Sequence, residues 1–203
     1  MYVEDAAIQK KLVAGKLIFV LRAKQPYVKL MERFKVIYFW LLMRPERHVL
    51  LVIVFSLLVN ISLVMKGGVP APSVNDEFSY LLAADTFSHG RLTNPPHPFR
   101  EHFSSLHVIQ EPSYASKYPP GQGIALALGQ VLTGLPIVGV WISAALACAA
   151  LAWMLSRWMT PQWGLLGGLL ATIHPLMLRW GYGYWGGAVA VFGGALVLGA
   201  FRR

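Results

Sequence analysis

The chain has 203 residues, of which 56% are hydrophobic and only 13% charged, and its formal net charge is +9. A water-soluble domain carries about 25% charged residues, so this composition excludes an ordinary soluble fold and points to an integral membrane protein. The excess charge does not imply a nucleic-acid partner: ten of the eighteen Lys and Arg precede residue 48, immediately before a membrane-length apolar run. Basic residues placed there mark the cytoplasmic side and meet anionic membrane lipid. The single cysteine, Cys148, lies among alanines in an apolar stretch, which excludes a disulfide framework and a cysteine-based metal site.

Residues 1–47 form a basic cytoplasmic or interfacial segment. Within it Val36 to Met43 (VIYFWLLM) is too short to span a bilayer and is stopped by Pro45, so an amphipathic helix lying in the interface is expected. The first long apolar run starts near residue 49, too late for a cleavable signal peptide. Residues 48–66 have the length and composition of a first transmembrane helix, ended by Lys66, Gly67 and Gly68.

Residues 67–120 read as a large external loop. Asp76 to His89 is expected to be a short amphipathic helix, with Phe78, Leu81, Leu82 and Phe87 toward the membrane and Gly90 as its stop. From Arg91 to Ser116 no period is visible, and Pro95, Pro96, Pro98 and Pro112 mark irregular backbone of the kind that carries binding groups.

Four apolar stretches complete residues 121–203: Gly121 to Leu132, Ile137 to Leu155, Trp163 to Leu178 and Gly187 to Phe201. The first is short. If it lies along the membrane instead of crossing it, Arg157, Arg202 and Arg203 all join the basic N-terminus on the cytoplasmic side. The expected fold is therefore all-α and integral to the membrane, with about four transmembrane helices and an external loop bearing juxtamembrane helices. Gly164, Gly167, Gly168, Gly193, Gly194 and Gly199 suit close helix packing in lipid, and Gly181 to Gly187 is expected to be an exposed turn with an aromatic belt.

Asp76 and Glu77 are the first candidates for chemistry, because carboxylates close to a bilayer are costly to desolvate. Adjacent residues on a helix point about 100° apart. One can therefore face a substrate while the other pairs with a neighbouring cation or helix end. Asp76 suits a general base, although an aspartate at a helix start also suits a cap. Lys117, Tyr114 and Tyr118 stand where the loop returns to the membrane, within reach of a lipid phosphate, and Arg100 is a further loop cation; a lysine there also suits simple snorkelling. His97, His102 and His107 share the loop with five acids, so a divalent metal is carried as an alternative, but their spacing matches no tight ligand motif.

These residues resemble a known family. Asn75 to Tyr80 (NDEFSY) at the head of a juxtamembrane helix, followed by Tyr114-Ala-Ser-Lys-Tyr-Pro-Pro and Gly-Gln entering an apolar helix, is similar to the GT-C membrane glycosyltransferases. The nearest branch is that of protein O-mannosyltransferases and aminoarabinose transferases, and the likeness runs from about residue 49 to the C-terminus. The resemblance implies transfer of a sugar from a polyprenyl-phosphate donor to a hydroxyl acceptor at the external face of a bacterial-type inner membrane, with the N-terminus cytoplasmic. Asp76 would take the catalytic-aspartate place, Glu77 would support it or the acceptor, and Lys117 with Tyr114 would stabilise the leaving phosphate. Enzymes of this family carry more spans, so the expectation is the N-terminal portion of such a module: a fragment, or half of a split enzyme completed by a second polypeptide. The alternative is a non-catalytic scaffold or lipid-binding subunit of the same fold. A transporter fits less well, because the ionisable residues gather in the loop and not at mid-membrane.

Overall fold

The structure is a computed structural model that describes residues 45–102 and 104–202. The basic segment up to Arg44, with its expected interface helix, lies outside the described residues, as do Phe103 and Arg203. Helix α1 (Pro45–Gly67) opens with proline, whose missing N–H costs nothing in a first turn, and carries Glu46 at its positive end and Lys66 at its negative end. Gly68 stops it in the left-handed region at φ 78°. The remaining helices are α2 (Asn75–Ser88), α3 (Pro120–Thr133), α4 (Pro136–Trp158), α5 (Pro161–Ile173), α6 (Pro175–Gly181) and α7 (Gly187–Ala200). Of the seven helices among the described residues, two, α1 and α4, are long and apolar enough to cross a membrane.

Contacts at the helix ends fix the direction of each pass. The start of α1, the end of α4 and the start of α5 meet at one end, called basal here. There Glu46, Val49, Trp153, Ser156, Arg157 and Pro161 line a cleft of about 440 Å³. The His48 Nδ1 lies 3.1 Å from the Pro161 carbonyl. At the opposite, distal end the Tyr182 hydroxyl donates to the Gly68 carbonyl at 3.0 Å. Helix α7 returns to the basal end, where Trp158 Nε1 donates to the Leu198 carbonyl at 3.2 Å. The bundle thus has four antiparallel passes: α1, α4, α5 with α6, and α7. The third is broken where Pro175 removes a donor and the His174 side chain caps α6 by accepting from the Leu176 N–H.

Helix α3 is not one of the passes. It begins beside α2 at the distal end and ends at the Gly134 turn (φ 77°), from which α4 starts its run to the basal end. Gly129 and Gly139 let the two helices touch backbone to backbone: a Cβ on Gly139 would stand 2.7 Å from the Ala125 carbonyl carbon and 2.9 Å from Leu126 Cα. Helix α4 is surrounded by the others, with Ala144, Ala145, Ala147, Cys148, Ala149, Ala150 and Ala152 all buried. Gly164, Gly167, Gly168 and Gly199 face neighbouring helices, as expected of packing glycines, whereas Gly193 and Gly194 face open space.

The burial pattern of α1 inverts that of a water-soluble helix. Its packed stripe is His48, Val52, Ser56 and Asn60, whereas Leu50, Val54, Leu58, Ile61 and Met65 point outward. Outside the helices, the loop holds a two-residue antiparallel ladder, β1 (Val108–Ile109) with β2 (Ala115–Ser116), and a bridge between Asn94 and Tyr114. A second core of Ala84, Leu126, Ile137, Val140 and Tyr184 packs α2, α3 and α4 together at the distal end. The segment Gly181 to Gly187 is not the exposed turn expected. Gly181, Gly183 and Tyr184 are buried, because the Tyr184 hydroxyl donates to the Pro70 carbonyl at 3.0 Å and folds the segment against the start of the loop.

Candidate functional site

Helix α2 brings the acidic pair to the distal end, and its first turn separates the two carboxylates. The N-cap residue is Val74, whose side chain offers no hydrogen-bond acceptor, and Asp76 and Glu77 occupy the second and third helical positions. Glu77 does the capping. Its Oε2 accepts from the Ser73 N–H at 2.8 Å and the Ser73 hydroxyl at 3.2 Å, and its Oε1 accepts from the Tyr184 N–H at 2.9 Å. Glu77 is only 3% exposed. Burial pushes its carboxyl up, but the bonds from Ser73, Tyr184 and Val74 outweigh that and hold it below the ordinary carboxylate value. Oε1 thus ties α2 to the segment between α6 and α7 while Oε2 holds the residue before the helix, a structural duty the sequence did not disclose.

Asp76 does not cap the helix; it faces the loop. Its Oδ1 accepts from the Tyr118 hydroxyl and lies 2.9 Å from His107 Nδ1. His107 Nδ1 is also 2.6 Å from the Tyr118 oxygen, which closes a triangle of carboxylate, phenol and imidazole. The hydrogen bond to Asp76 is the main reason that the Tyr118 phenol is pushed up to about 12, with smaller contributions from burial and from the charges of Asp76 and Tyr80. Both bonds fall on Oδ1, so among the described residues Oδ2 is left for another partner. Asp76 and His107 side chains are 30% and 27% exposed, sheltered yet reachable.

The loop is held in this register by α2 itself. Ser79, one turn beyond Asp76 and buried, donates to the His107 carbonyl at 2.6 Å and bonds the Ser116 hydroxyl at 2.8 Å. The Lys117 N–H donates to the same His107 carbonyl at 3.2 Å. Tyr80, four residues after Asp76, packs on Tyr118 with ring centroids 4.9 Å apart. Burial, and then the Asp76 charge, raise the Tyr80 phenol. Asp76, Ser79 and Tyr80 share one helix face at the i, i+3, i+4 spacing, which was the available sequence signal for this cluster.

The other candidates are spread more widely. The Lys117 ammonium is exposed and donates to the Leu106 carbonyl at 3.1 Å. Tyr114 is half-buried and pairs with Asn94 through two backbone bonds of 2.8 Å. Arg100 is paired with Glu111 at 2.8 Å on an exposed part of the loop. Of the histidines, only His107 reaches the acidic pair: His97 packs near Phe99, and His102 sits in a short exposed 3-10 turn, Arg100–His102. Among the described residues no group of three or more His, Cys, Asp or Glu is placed to hold a metal ion. Set against protein-family models, curated proteins and solved structures, the chain matches none.

Proposed function

We propose that the chain is a multi-pass membrane protein whose distal face transfers a sugar from a polyprenyl-phosphate donor to a hydroxyl acceptor. The single observation that carries this reading is the Asp76 carboxylate, held through Oδ1 by Tyr118 and His107, with Oδ2 uncommitted among the described residues. A carboxylate so fixed is placed to take a proton from an incoming hydroxyl. In that step Oδ2 takes the acceptor proton, and the acceptor oxygen bonds to the anomeric carbon. The bond from that carbon to the phosphate oxygen breaks, and its electron pair leaves on the phosphate. Lys117, with Tyr114 nearby in the loop return, would offset that charge; such stabilisation is worth about 3 kcal/mol per donor. Glu77 would act indirectly, by anchoring the helix that carries Asp76.

The membrane part of the reading takes the four antiparallel passes as four spans, with α2 and α3 lying at the external surface. Supporting it, the outward residues of α1 are aliphatic while three of the four in its packed stripe, His48, Ser56 and Asn60, are polar, the arrangement expected when lipid is the solvent. Arg157 and Arg202 lie at the basal end, stacked over Trp153 and Trp158 at 5.6 and 5.2 Å, and the acidic pair lies at the distal end. By the positive-inside tendency the basal end is cytoplasmic, in a bacterial-type inner membrane.

The test is transfer from radiolabelled polyprenyl-phosphate sugars in membranes containing the chain, beside Asp76→Asn at equal protein level. Loss of a general base should lower transfer by about 10²-fold or more. Transfer that survives the substitution would remove Asp76 from the chemistry. Absence of transfer by the wild-type chain with every common donor would leave the rival reading, a non-catalytic scaffold of the same architecture that works with a second polypeptide.

A further inference from the structure

We infer that His107 is a positioning residue for Asp76: its Nδ1–H, together with the Tyr118 hydroxyl, pins Oδ1 so that Oδ2 is the oxygen presented to an acceptor. The inference rests on the reading of Asp76 as the base. Three observations converge on it. His107 Nδ1 is within hydrogen-bond distance of both Asp76 Oδ1 (2.9 Å) and the Tyr118 oxygen (2.6 Å). The Tyr118 proton is already given to Asp76, so the nitrogen facing these two oxygens must carry a proton to satisfy them. The His107 backbone is fixed independently of its ring, by Ser79 Oγ and the Lys117 N–H on its carbonyl. Helix α2 therefore supplies both the carboxylate and, through Ser79 three residues later, the anchor for the imidazole that orients it. That geometry determines which imidazole nitrogen is protonated, the role a carboxylate partner commonly plays for histidine. The groups facing the ring are Asp76 from α2 and Tyr118 from the loop return, with Tyr80 stacked behind Tyr118.

The experiment uses the full chain in detergent micelles, labelled with ¹⁵N-histidine and recorded at about pH 8.5, above the ordinary histidine range. The His107 signals are assigned with His107→Asn. The Nδ1–H tautomer is expected in the wild-type protein, and a shift toward the Nε2–H form favoured by unbonded imidazole is expected in Asp76→Ala. A His107 ring in the Nε2–H form in the wild type, or one indifferent to Asp76→Ala, overturns the inference. Thermal unfolding of each variant identifies any that has lost its fold, and Asp76→Leu, which keeps the side-chain bulk without an acceptor, then replaces Asp76→Ala.

Transfer kinetics supply the second readout. His107→Leu should lower kcat by about tenfold or more with little change in KM, the pattern of a lost orientation and not of lost binding. His107→Asn keeps an N–H near the Nδ1 position and should recover most of that loss. Transfer that needs Asp76 yet ignores His107→Leu leaves the function standing and removes the inference. A wild-type chain without transfer removes the glycosyltransferase reading and the catalytic sense of the inference together, and the tautomer measurement still decides whether the tie exists.

Discussion

Replacing Glu77 should disconnect two parts of the distal end, and the structure allows the cost to be worked out. Glu77→Ala removes the acceptor for the buried Tyr184 N–H, and for Ser73, which is exposed and can turn to solvent. Leaving one buried amide unpaired costs about 2 kcal/mol, and losing the solvent-side bonds adds about 1 kcal/mol. The total of about 3 kcal/mol corresponds to a fall of about 6–12 °C in apparent Tm for a chain of this size. Cys148, the only cysteine in the chain and buried in α4, provides the assay: a thiol-reactive dye reports the temperature at which the bundle opens. All variants are scanned at one rate, because such unfolding is often irreversible.

The same interaction has a pH signature whose sign follows from the direction of the shift. The Glu77 carboxyl is held below its ordinary value of 4.5 in the folded protein. Its contribution is therefore complete at neutral pH and is lost as pH falls through the folded value, below 4.5. The Tm gap between wild type and Glu77→Gln should be level near neutrality and shrink in acid. A wild-type chain that opens at the same temperature as Glu77→Ala, or a gap to Glu77→Gln unchanged in acid, would refute the assignment of Glu77 as the tie between α2 and Tyr184.

Three further outcomes are expected. Gly139→Ala should destabilise the bundle by about 2 kcal/mol, because the new Cβ meets the backbone of Ala125 and Leu126, whereas Gly193→Ala meets nothing and should be neutral or gain up to about 1 kcal/mol; the same dye assay ranks them. In a spectrophotometric titration of tyrosines, the difference between wild type and Tyr118→Phe should show one phenol with a midpoint of about 12. Because that value is raised, the stability Tyr118 gives is complete below its ordinary value of 10 and is lost as pH rises toward about 12. In a Cys148→Ser background, Thr133→Cys should react with an impermeant maleimide from outside intact cells and Met159→Cys should not, since the turn after α3 is distal and the turn after α4 is basal. The reverse labelling would mean either that α3 crosses the membrane or that the distal end is cytoplasmic.

Much of this arrangement was legible in the chain, and the illegible parts share a physical cause. The ends of α1 and α2 follow from Gly68 and Gly90, which take left-handed backbone that other residues avoid, and the break between α5 and α6 follows from Pro175. What could not be read was which partner each carboxylate takes. Glu77 looked like the second member of an acidic pair, yet its partner Tyr184 lies 107 residues away, and the aromatic segment around it looked like an exposed belt for the same reason. His107 looked like a loop histidine with no ligand spacing. Its position depends on a ladder only two residues long on each side and on one serine hydroxyl, features too small to leave a period in the sequence.

The separation of Asp76 from Glu77 is itself informative about how such a site is built. Two adjacent carboxylates facing one substrate would repel each other and raise the cost of ionising both. Here the helix turn sends Glu77 inward, where three donors from Ser73 and Tyr184 stabilise it, and sends Asp76 outward, where two donors meet a single oxygen. The inward carboxylate fixes the helix, the helix fixes Ser79, and Ser79 holds the histidine that meets the outward one. Loosening Glu77 should therefore reach Asp76 through rigid elements and not through charge. Glu77→Gln, which keeps an acceptor for Tyr184, ought to spare transfer far more than Glu77→Ala, and equal losses in the two would show that the charge of Glu77 matters at the reacting centre itself.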